Sequence, residues 1–232
     1  MINTARLYSD LSRLGRETDM FLATVASLSD AEMAAPSLCE GWSRADVIAH
    51  VASSGRALVN LIDGAASGVE RQLYASPEAR SQEISALAAL PREELLDELR
   101  ESARSFAEQA QRLNAELAAP DVNVNGKVIP ATSIVALRIA EVVVHHHDLD
   151  TAWTIEEADP DSLLNAIEAV VRSLRAKGVP GITAVTEERD EWVIGDGALH
   201  VRSDREGLLL WLARGDSEHI EADGLLPVLP AW

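Results

Sequence analysis

A chain of 232 residues, 47% hydrophobic and 25% charged, has an ordinary globular composition and is long enough to bury one large core or two smaller ones. Acidic residues outnumber Lys and Arg 38 to 20, and the formal net charge of −18 repels nucleic acid and anionic membranes. The single cysteine, Cys39, excludes an intrachain disulfide, while the absence of a signal-peptide pattern and of any apolar run near ~20 residues makes a cytoplasmic protein the expectation.

In chain order, Leu7, Leu11, Leu14, Phe21, Leu22 and Val25 recur at helical spacing and predict a first helix over 3–27. Pro36 and the turn LCEGW interrupt it. Ser43, with Asp46 three residues on, reads as the N-cap of a second helix running to Gly64. A polar connection with room for a short helix covers 64–90. Pro91 opens a charged third helix suited to an outer face, DVNVNGKVIP reads as an extended turn around Asn-Gly, and a fourth helix is predicted over about 131–153. Four such helices suggest an antiparallel bundle occupying residues 1–155.

The pattern changes after Trp153. One more amphipathic helix is expected over 160–177. ITAVTEERDEWVIG and ALHVRSD alternate like a β-hairpin, and REGLLLWLARG reads as a last helix stopped by Gly215. Residues 156–232 are therefore expected to form a small α+β domain behind the bundle.

Chemistry concentrates in the fourth helix, in RIAEVVVHHHDL. Arg138, Glu141, His145 and Asp148 follow one another at steps of three and four residues, making one polar line among apolar neighbours. Such a line is costly to bury unless its members are paired or hold a metal. His146 and His147 are rotated about 100° and 200° from His145, so neither can join it. Glu141 and His145 have the spacing to reach one ion. A zinc site needs a third protein ligand, for which His50 on the second helix is the candidate. A histidine on an apolar helix can equally be a hydrogen-bonded core residue, and spacing alone leaves both readings open. Cys39 reads as a half-buried turn residue and Trp42 as a packing anchor.

SLCEGWSRADVIAHVA together with RIAEVVVHHHDL resembles the DinB-like metal-binding helical bundles, and within them the mycothiol-dependent maleylpyruvate isomerase family. ALVNLIDGAASG, YASPEAR and VIPAT extend the similarity across most of the first 155 residues. The resemblance implies a mainly α fold, a DinB-like up-down four-helix bundle with a small C-terminal α+β domain. It implies zinc held by His50, Glu141 and His145; Asp148 and Arg138 match its flanking polar positions, and their place on the polar line reads as orienting those ligands. It also implies mycothiol as thiol cosubstrate and a small anionic organic acid as substrate. An arginine after the last helix, matched here by Arg214, is implied in activity, and Arg138 is the other candidate for meeting the substrate's charge. Three further readings share the bundle: a mycothiol S-transferase for another electrophile, a zinc hydrolase, and a non-catalytic binding protein.

Overall fold

The computed structural model describes residues 4–114, 116–124, 126–230 and 232, with side chains from residue 6 onward. The chain divides into two compact units, Met1–Thr154 and Ile155–Trp232. No described helix is long and apolar enough to cross a membrane.

In the first unit, α1 (Thr4–Ser27), α3 (Arg44–Ser67), α5 (Arg92–Ala110) and α6 (Ser133–Asp148) form the bundle, with the single turn α2 (Asp30–Met33) and α4 (Pro77–Ala88) beside it. α1 packs on α5 and α6, and α3 packs on the same two helices, so α1 and α3 occupy opposite corners. The inward stripe of α1 is Leu7, Leu14, Phe21 and Val25; Leu11 and Leu22 sit at its margins, partly exposed.

The helix α3 is different in kind. Residues 47–55 are buried without a break, because α4 covers the side that α5 and α6 leave open. Its small residues allow close approach. A Cβ on Gly55 would lie 2.4 Å from Ser102 Oγ, the atom that donates a 2.6 Å hydrogen bond to Ala52 O across the α3–α5 seam.

The helix starts follow local chemistry. Ser43 and Asp46 form a reciprocal capping box on α3, and Ser76 caps α4 immediately before Pro77. The segment read as an extended turn is a two-stranded ribbon, β1 (Asp121–Val124) and β2 (Lys127–Pro130). The fourth helix ends at Asp148, five residues earlier than its pattern predicts. Its last carbonyls are taken from outside: Leu38 N–H donates to Asp148 O (2.9 Å) and the Arg44 guanidinium to Leu149 O and Asp150 O. Asp150 then turns the chain with a φ of +50°.

In the second unit, α7 (Pro160–Lys177) and α8 (Arg205–Arg214) pack together and against a mixed sheet of β3 (Ile182–Thr186), β4 (Glu191–Ile194), β5 (Leu199–Ser203) and β6 (Glu221–Ala222), in the order β4-β3-β5-β6. The hairpin expected between ITAVTEERDEWVIG and ALHVRSD lies instead within the first segment, as β3–β4, while β5 runs parallel to β3. Gly195 and Gly197, both at positive φ, carry the chain around the end of β3, and Leu199 N–H bonds to Gly181 O to set the parallel register.

Candidate metal centre

His50 lies in the second turn of α3 and presents Nε2 to α6. There Glu141 Oε2 is 3.0 Å from His50 Nε2 and 3.7 Å from His145 Nε2. The two imidazole rings meet edge to face with centroids 4.6 Å apart. One donor atom from each of the three residues lies within 4.8 Å of the others. Ligands on a tetrahedral zinc at about 2.0–2.1 Å stand roughly 3.3 Å apart, so the triad is already near that spacing. Glu141 Oε2 is buried and receives no well-directed hydrogen bond, although two ring nitrogens face it. A cation between the three donors would satisfy that oxygen, and the residues present fit a divalent ion of zinc type.

The surroundings prepare the donors. Asp148, fully buried, holds His145 Nδ1 at 2.7 Å, which places a ring proton on Nδ1 and turns Nε2 toward Glu141. Burial lowers the pKa of His50, with Glu141 opposing, so the imidazole favours the neutral form that ligation needs. Burial also acts to raise Glu141, but His50, His145 and Arg138 outweigh it and hold the carboxyl below the usual range. Arg138, 2% exposed, donates from Nη1 to Val51 O (2.7 Å) and Ser54 Oγ (2.8 Å), tying α6 to α3. Burial brings its pKa down to about 10, which still leaves it charged at neutral pH.

The turn LCEGW closes one side. Ser37 N–H bonds to Trp42 O, Trp42 N–H to Cys39 O, and Gly41 supplies the positive φ of 77°. Trp42 meets the His50 ring at 5.6 Å between centroids. Cys39, half-buried in this turn, has its sulfur within 4.8 Å of a His145 nitrogen and an Asp148 oxygen.

Of the residues singled out in the sequence, His50, Glu141, His145, Asp148 and Arg138 come together here. Arg214 lies in the last turn of α8 in the second unit, where its Nη1 donates to Ala213 O and Trp232 O. His146 turns the other way, stacked on Trp153 and 2.7 Å from Thr24 Oγ1. Three neighbours of the triad escaped the spacing arguments. Arg80 Nη2 is 3.2 Å from His50 Nδ1, the Tyr74 ring lies 5.9 Å from the Arg80 guanidinium carbon, and Ser53 donates to the Tyr74 hydroxyl at 3.1 Å. Tyr74 and Arg80 both belong to YASPEAR, whose Ser-Pro pair marks a helix start. That signal places α4 without showing which way its side chains face.

Residues 14–150 match the model of the mycothiol maleylpyruvate isomerase N-terminal domain. The whole chain is also similar to a crystal structure of the mycothiol-dependent maleylpyruvate isomerase, with 27% identity and a TM-score of 0.84 over 97% of each chain. A histidine-to-alanine mutant of that enzyme matches equally well, at 26% identity, with the same TM-score and coverage. No curated protein sequence matches the chain significantly.

Proposed function

This chain belongs to the mycothiol maleylpyruvate isomerase family, a family of enzymes, and from that premise we propose that it isomerises maleylpyruvate to fumarylpyruvate, with zinc and mycothiol. In this reaction a thiolate adds to the cis double bond, the new single bond rotates, and the thiolate leaves from the trans product. The observation that carries the proposal is the convergence of His50, Glu141 and His145 around the unsatisfied Glu141 Oε2, with His145 oriented by Asp148.

Zinc bound there would supply a lowered thiol pKa, and hence a thiolate at neutral pH. The chain's own residues do the rest. His50 and His145 would offer ring nitrogens to the ion, Glu141 supplies the negative charge, and Asp148 holds His145 Nδ1. Arg138, enclosed between α3 and α6, acts on Glu141: it favours the ionised carboxylate and pins the helices that carry the ligands. Its burial argues against contact with substrate. Arg214 keeps, as part of this proposal, the role in turnover that the resemblance implies.

The test is metal removal combined with thiol omission. Chelated protein should lose turnover of maleylpyruvate and regain it with zinc, and zinc-loaded protein should be inert until mycothiol is added. Isomerisation by zinc-loaded protein without thiol would overturn the mechanism. Thiol consumption without isomerisation would make the chain a thiol transferase instead.

A further inference from the structure

The contact between Arg80 and His50 is chemically one-sided. A guanidinium has only N–H donors, so His50 Nδ1, 3.2 Å from Arg80 Nη2, must accept. The neutral ring then carries its proton on Nε2, which lies 3.0 Å from Glu141 Oε2 without making a well-directed hydrogen bond to it. Ligation of a cation through Nε2 requires the other tautomer, with the proton on Nδ1. In that state Nδ1–H and the Arg80 N–H would face each other donor to donor. The His50 ring can serve Arg80 or a cation, but not both in this geometry.

Arg80 is also short of partners. Among the described residues it has no carboxylate within ion-pair distance, and its recorded contacts are the His50 nitrogen and the Tyr74 ring. By contrast Arg56, on α3 nearby, is paired with Glu83 and Glu98. A half-buried guanidinium lacking an acid, in a chain of net charge −18 and beside a cation-binding triad, is a local site for an anion. Its base is firm: Ser76 caps α4, Pro77 starts it, and Arg80 N–H bonds to Ser76 O.

We propose that Arg80 binds a substrate carboxylate, held in reserve on His50 Nδ1 and transferred to the carboxylate when His50 takes a cation through Nε2. The guanidinium carbon lies 5.9 Å from the centroid of the Tyr74 ring, whose hydroxyl accepts from Ser53. This rests on the reading of His50, Glu141 and His145 as a metal site. It assigns metal binding a second effect, the release of a cationic side chain next to the ion.

Binding tests it without turnover. Maleate, a dicarboxylate, is titrated calorimetrically into wild type, Arg80→Lys and Arg80→Gln, each zinc-loaded and metal-free, with no thiol present. Zinc-loaded wild type should bind maleate on the order of tenfold more tightly than metal-free wild type. Arg80→Gln should lose that gain, and Arg80→Lys should keep part of it. Zinc affinity, measured by chelator competition, should hold or rise in Arg80→Gln, since nothing then competes for the His50 tautomer. Nitrogen NMR of metal-free wild type should show the His50 proton on Nε2. Equal maleate binding by zinc-loaded wild type and Arg80→Gln overturns the proposal while leaving the metal site standing, as does a proton on Nδ1 in the metal-free protein. Failure of wild type to take up zinc overturns the metal reading and this proposal with it.

Discussion

On one face of α6, His145 gives Nδ1 to a buried aspartate and turns Nε2 toward Glu141 and His50. One residue further round the helix, His146 lies flat on Trp153 with centroids 3.8 Å apart, edge-on to Phe21, and bonds Thr24 on α1. The two side chains are chemically identical and both are buried. What separates them is the neighbourhood: α3 brings the His50 imidazole to His145, beside the acids Glu141 and Asp148 of α6 itself, whereas His146 meets the Phe21 ring and Thr24 hydroxyl of α1 and the Trp153 ring. A run of three histidines thus contains one candidate ligand and one core residue, and the helix rotation decides which is which.

The largest effects should come from exchanging these fates. His145→Ala should abolish zinc uptake and lower turnover more than about 100-fold, while His146→Leu should retain both; metal analysis and kinetics of the two variants side by side check this. Asp148→Asn, which leaves the carbon skeleton in place but removes the charge that fixes the His145 tautomer, should weaken zinc by about 10- to 100-fold in chelator competition.

These expectations rest on features of unequal legibility. The polar line Arg138–Glu141–His145–Asp148 was readable because helical periodicity alone aligns it, and the structure does bring it to His50. The end of α6 was not readable. The apolar pattern continues past Asp148, and the groups that stop the helix, Leu38 N–H and the Arg44 guanidinium, are more than 100 residues away in sequence. Arg80 was hidden for a similar reason: α4 buries only Ile84 and Leu87, too few positions to reveal which face meets α3. The parallel pairing of β3 with β5 was obscured because alternation along a strand is the same whichever way its neighbour runs.

Burial depresses the His146 pKa to about 3, below the ~6.5 of an unfolded histidine. The folded state therefore favours the neutral ring. Its contribution is complete above about pH 6.5 and shrinks by about 1.4 kcal/mol per pH unit as the pH falls toward 3. Denaturant midpoints of metal-free protein at pH 7, 6 and 5 should fall more steeply for wild type than for His146→Leu. Equal slopes would place the titrating group elsewhere. The smallest effect is expected at Cys39, whose sulfur groups with His145 and Asp148 and not with His50 and Glu141: Cys39→Ala should leave turnover within about twofold.

The bonds from Arg44 to the carbonyls of residues 149 and 150 close a loop of more than 100 residues. Contacts so distant in the chain are late and entropically expensive to form, and they join the start of the helix bearing His50 to the end of the helix bearing His145. The triad therefore has no local precursor: a nascent chain that has not yet reached residue 149 holds its histidines but lacks the clasp that aligns them. An ion bound by the aligned triad would stabilise the completed bundle over the unfolded chain, so on the proposed metal reading its supply would act on this protein's lifetime as well as on its chemistry.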